Sequence, residues 1–145
     1  MFYGEYPSTV DSKGRVIITA KLRDALPEGE EAARFVMRLG EDGCVTLYTP
    51  DRWREVEEDV NRAPQGSKLA RRRRRFMFSQ ARLGQCDRQG RLRIADELLG
   101  GAGIEREVVV VGVSDQIEVW DRGRWEAFKA EMLAESENDA EHYPQ

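Results

Sequence analysis

An arginine beside a glycine-turned corner can donate two parallel hydrogen bonds to the O6 and N7 of a guanine, or grip a phosphate. This chain has two such corners. Asp11-Ser12-Lys13-Gly14-Arg15 recurs as Asp87-Arg88-Gln89-Gly90-Arg91, 76 residues later. In each copy the glycine is free to take positive φ, and the aspartate can accept backbone N–H groups in an Asx-turn. Arg15 is the first candidate to contact a base or a phosphate, with Lys13 and Arg23 in support. Arg88 and Arg91 are the second-copy candidates, although Gln89 stands at the position matching Lys13, which predicts a differently tuned second loop. Asp11, Gly14, Asp87 and Gly90 are expected to shape the loops. One Asp-x-x-Gly-Arg alone occurs in many turns; two in register carry the information.

Other chemistries find little support. Cys44 and Cys86 lack CxxC spacing and His142 is the single histidine, too few ligands for zinc, so both thiols are expected to be buried and structural. Gly100-Gly101-Ala102-Gly103 lacks the Lys-Ser/Thr that completes a phosphate-binding loop. The expectation is no enzyme, no cofactor, no metal and no small-molecule substrate. The N-terminus carries Glu5 in place of a basic stretch and an apolar core, and no apolar run approaches the roughly 20 residues of a membrane span, so a cytoplasmic protein with no membrane partner is expected.

The net charge of −4 is strongly segregated. Eleven bases and one acid fall between Arg62 and Arg93, leaving the rest of the chain at −14. A basic patch of that kind fits a nucleic-acid partner despite the acidic total. Arg71 to Arg75 could belong to it. However, five consecutive arginines on a helix point all round it, which favours pairing with acids such as Glu55, Glu57, Glu58 and Asp59, within or between subunits.

The elements that position the corners are themselves duplicated. Leu39-Gly40, Val45 to Tyr48 and Trp53 are echoed by Val111-Gly112, Ile117 to Trp120 and Trp125. Each copy reads as a corner, a short alternating strand (Val16/Ile18, Leu92/Ile94), a short helix, a hairpin and a closing helix. The short helices are read as Ala20 to Leu26, stopped by Pro27 and Gly29, and as Asp96 to Leu99. Asp51 and Asp121 are the expected N-caps of the closing helices, and Ser67 to Ser79 reads as a linking helix. The domain reading is 1–61 first unit, 62–80 basic linking helix, 81–134 second unit and 135–145 acidic disordered tail. Units of this size bury little surface alone; the two apolar strand faces should pack on each other, giving an α+β, mainly β, pseudo-twofold domain with flanking helices.

The string from Asp11 to Ile18, followed by Lys21-Leu22-Arg23, resembles the swapped-hairpin DNA-binding element of AbrB-like regulators. Two such elements, with Met1-Phe2-Tyr3-Gly4-Glu5-Tyr6 at the start and Val108 to Gly112 and Ile117 to Asp121 in the second half, resemble the MraZ family over nearly the whole chain. That resemblance implies a transcriptional regulator assembling into a ring-shaped homo-oligomer. It further implies binding to short direct repeats of double-stranded DNA in the promoter of the division and cell-wall gene cluster, often the regulator's own promoter, and hence a nucleoid location. Thr19 and Ala95 depart from the family, which usually has proline there; the departure should loosen the turn into each short helix. The competing expectation is an AbrB-type antitoxin module with the acidic tail as toxin-binding segment, against which the duplication speaks.

Overall fold

Valine and isoleucine at every second position, between polar neighbours, make a strand with one buried face. In the computed structural model, which describes residues 1–26, 33–64 and 66–138, β2 (Arg15–Ile17) and β6 (Arg91–Arg93) pair antiparallel with Val16 opposite Leu92. Val16, Ile18, Leu92 and Ile94 are all fully buried, each contributing about 1.5–3 kcal/mol. This ribbon packs on a six-stranded antiparallel sheet. Its order is β1 (Glu5–Thr9), β7 (Glu107–Val113), β8 (Gln116–Asp121), β4 (Val45–Tyr48), β3 (Arg34–Leu39) and β5 (Arg82–Gln85).

The order is palindromic about the β8/β4 pair, where Val45 faces Val119 and Leu47 faces Ile117. The outer strands are exchanged: β1 lies on β7 and β5 lies on β3. Each half therefore completes the sheet of the other, and α+β with mainly β structure describes the result.

Alternation divides the sheet into two faces. Phe35, Met37, Leu47, Val108, Val110 and Ile117 join the ribbon in one core, together with Leu22 of α1 (Ala20–Arg23) and Leu98 of α4 (Asp96–Gly101). The opposite face carries α2 (Pro50–Arg62), α3 (Lys68–Gln80) and α5 (Arg122–Asn138) on two aromatic clusters. Tyr48, Trp53 and Phe78 form one, with centroids 5.4 and 5.9 Å apart along the row; Trp120, Trp125 and Phe128 form the other. No described helix is long and apolar enough to cross a membrane.

Several sequence expectations need correction. The N-cap of α2 is Thr49, whose hydroxyl accepts from the Arg52 amide at 3.1 Å, and Pro50, lacking an N–H, takes the first helical position; Asp51 is inside the helix. Asp121 does accept from the Arg124 amide at 3.1 Å. The regular part of α1 ends at Arg23, not Leu26, and its expected stops Pro27 and Gly29 lie outside the described residues. α5 continues to Asn138, four residues into the segment expected to be disordered; His142 and the rest of that tail lie outside the described residues. β1 and β5, read as no element in the sequence, are edge strands.

Thr19 and Ala95 precede their helices with φ of −59° and −57°, inside the range a proline ring imposes, about −65 ± 15°. The turn is therefore held in the proline conformation without the ring. Ala95→Pro should raise stability by about 0.4–1 kcal/mol by restricting the unfolded chain, measured by urea unfolding; a fall would show that the ring clashes with Ile94 or that the Ala95 amide is needed.

Candidate nucleic-acid interface

Both corners are built alike. Gly14 (φ 75°) and Gly90 (φ 83°) occupy the left-handed region, and each donates its N–H to the corner aspartate's carbonyl, at 3.0 and 2.9 Å. The Asp11 carboxylate accepts from the amides of Lys13 and Arg15, both at 2.9 Å, and from Arg15 Nε at 2.7 Å. Asp87 repeats the pattern with Gln89 at 3.0 Å, the Arg91 amide at 2.9 Å and Arg91 Nε at 2.7 Å. These bonds, the Arg15 and Arg91 amides foremost, hold both carboxyls below the usual 3.8. The corners also clamp each other's strand: Ile18 donates to the Gly90 carbonyl at 2.8 Å and Ile94 to the Gly14 carbonyl at 2.9 Å.

The ribbon's outward face follows from its register. Arg15 lies opposite Arg93 and Ile17 opposite Arg91, so three arginines and Ile17, 46% exposed, share one surface. Lys13 and Arg88 are exposed at the two corners. Gly14 and Gly90 stand four residues apart along the ribbon, about 13 Å at roughly 3.3 Å per residue, against a major groove about 12 Å wide. Arg15 is partly exposed, its side chain at 26%, and only Nε is committed to Asp11; its terminal nitrogens point to no protein acceptor among the described residues. Arg91 spends a terminal nitrogen on Gln89 at 3.1 Å.

Arg23 lies against the second corner. Its Nε donates to the Ile18 carbonyl at 2.8 Å, and its guanidinium lies so close over Gly90 that a Cβ there would meet it at 2.7 Å. It braces the second corner from the first half. Arg93 was not among the candidates picked from the sequence; the alternation Arg91-Leu92-Arg93 carried the signal, but its proximity to Arg15 depends on pairing between halves.

The arginine run finds other partners than the acids expected within the chain. Glu55 is bound by Arg52 at 3.0 Å, and Glu58 and Asp59 by Arg62 at 3.7 and 2.9 Å, because arginines three or four residues away on the same helix reach them first. Arg73 approaches Glu41 at 3.7 Å, and Arg74 donates to Asn61 at 3.1 Å. Cys44 and Cys86 are both buried, and desolvation pushes their thiols up to about 12 and about 11, so neither is a thiolate at neutral pH. The described residues contain no cluster of three or more histidines, cysteines or acids able to hold a metal.

A family model described as "MraZ protein, putative antitoxin-like" matches residues 1–76 and again residues 77–143. The chain belongs to the MraZ family. The two matches meet inside α3, between Phe76 and Met77. Similar proteins include the transcriptional regulator MraZ of Acetivibrio thermocellus, 38% identical over 141 residues, covering 97% of this chain and 95% of that protein. Those of Ligilactobacillus salivarius (39%; 98% and 96%) and Pediococcus pentosaceus (40%; 96% and 91%) are similar over the same extent.

The corner aspartates give a pH prediction. A carboxyl whose folded-state value lies below its unfolded 3.8 contributes stability that is complete above 3.8 and lost as pH falls through the lower, folded value. Between about pH 5 and pH 2, Asp11→Asn/Asp87→Asn should lose less stability than the unsubstituted protein in urea unfolding. Equal losses would show that the carboxylates are not anchoring the corners.

Proposed function

We propose that the outward face of the β2–β6 ribbon enters the major groove of double-stranded DNA and that the protein regulates transcription from the sites it binds. The observation that carries this is the convergence of Arg15, Arg91 and Arg93 on one surface between two cation-tipped glycine corners. Arg93 and the terminal nitrogens of Arg15 are suited to base edges. Lys13 and Arg88 are suited to phosphates on either side, and Arg91 to a phosphate or base beside Gln89. Arg23 is a positioning residue for the second corner. The family resemblance supports reading the sites as short direct repeats in the promoter of the division and cell-wall cluster, the protein's own promoter among them, with a nucleoid location following from that reading.

Three cations on phosphates, Lys13, Arg88 and Arg91, would give a salt slope of about −2.7, modest for a regulator. Assembly into a homo-oligomeric ring presenting several ribbons to repeated sites would raise avidity by about 10²–10⁴.

The test is binding to DNA from immediately upstream of the protein's own gene, by fluorescence polarisation, with native mass measured in parallel. Arg93→Ala should weaken binding about 5–150-fold, the equivalent of about 1–3 kcal/mol, with unchanged mass. Full affinity in an Arg15→Ala/Arg93→Ala variant would remove the ribbon face from DNA recognition.

A further inference from the structure

Three of the four outward positions on the β2–β6 ribbon are arginines, and the fourth is a hydrocarbon. The duplication relates Arg15 to Arg91 and Ile17 to Arg93, 76 residues apart in each case, so the two copies agree at one outward position and differ at the other. Arg15 and Arg93 lie across from each other beside the first corner, and Ile17 and Arg91 do so beside the second. Ile17 is 46% exposed, between Val16 and Ile18, which are fully buried. Across from it, Arg91 has its guanidinium committed to Asp87 at 2.7 Å and to Gln89 at 3.1 Å. Of the large exposed apolar side chains among the described residues, Ile17 alone belongs to the ribbon or its corners.

Strand formation does not require a hydrocarbon there. Threonine has the same branch at Cβ and a similar strand preference, and any uncharged residue opposite Arg91 avoids the repulsion that Arg15 meets from Arg93. Neither reason selects isoleucine over threonine on a face open to water. What isoleucine adds is apolar area, which is stabilising only against another apolar group. In the major groove the base edges offer hydrogen-bond donors, acceptors and one alkyl group, the C5-methyl of thymine.

We infer that Ile17 packs on the C5-methyl of a thymine and is a specificity-determining residue of the ribbon. This rests on the reading that the ribbon face enters the major groove, and it gives the two ends of the ribbon different tasks. The Arg15/Arg93 end offers donors to polar base edges. The Ile17/Arg91 end covers a methyl group and excludes water from it.

The test removes the methyl and keeps the base pairing. Fluorescence polarisation is measured on DNA from immediately upstream of the protein's own gene and on the same duplex with every thymine replaced by uracil. The unsubstituted protein should bind the uracil duplex at least about fourfold more weakly, the worth of one buried methyl group. Ile17→Ala should bind both duplexes with equal affinity, and Ile17→Val, which keeps the strand preference, should show a reduced thymine preference. Arg15→Ala should bind both duplexes more weakly and retain the preference. Equal binding of the two duplexes by the unsubstituted protein overturns the inference. So does an undiminished preference in Ile17→Ala or Ile17→Val, because the methyl groups then act through duplex shape or through another residue. Failure of the unsubstituted protein to bind either duplex overturns the groove reading itself.

Discussion

Two hydrogen bonds and one apolar pair tie the halves of this protein together where its chemistry lies. Ile18 and Ile94 each donate to the glycine carbonyl of the opposite corner, while Val16 and Leu92 meet directly beneath them with no solvent exposure. Each backbone bond satisfies a group at the rim of the core, where leaving it unpaired would cost about 1–3 kcal/mol. Remove this pairing and three things go together: the sheet loses the layer that covers it, the corners lose their footing, and the outward arginines lose their common plane.

That plane is electrostatically uncomfortable by itself. Arg15 and Arg93 stand directly across from one another, and like charges at such positions destabilise a strand pair by a fraction of a kcal/mol. Asp11 and Asp87 offset part of this while fixing the Nε edge of Arg15 and Arg91. On the proposed reading, a polyanion laid across the ribbon would relieve the remainder, coupling ligand binding to ribbon stability. The same carboxylate that folds the loop thereby aims the cation.

Much of this was legible in the residues. The repeated Asp-x-x-Gly-Arg strings located both corners, and alternation around Val16 and Leu92 identified the buried faces, because each signal is confined to a few adjacent positions. β1 was not legible: Glu5 to Thr9 mixes Pro7 with polar residues, and its strand character comes from pairing with Glu107 to Val111, 98 to 106 residues away. β5 was hidden for the same reason, with Leu83 exposed and Gly84 interrupting the pattern. Arg93 was overlooked as a site residue since a strand shows which residues share its face, but not which strand lies alongside. The capping role of Thr49 was missed in favour of Asp51, both being good caps, because Pro50 fixed the helix start two residues earlier than charge suggested.

The exchange of β1 and β5 between halves has a consequence for dilution. Were the two units separate molecules, their interleaved sheet would form only by mass action, and a scarce protein would come apart as its concentration fell. Here both partners are tethered on one chain, so the sheet's integrity is the same at one molecule per cell as at a thousand. Only contacts between chains remain sensitive to abundance, which separates the question of whether the protein is folded from how many copies are present to act together.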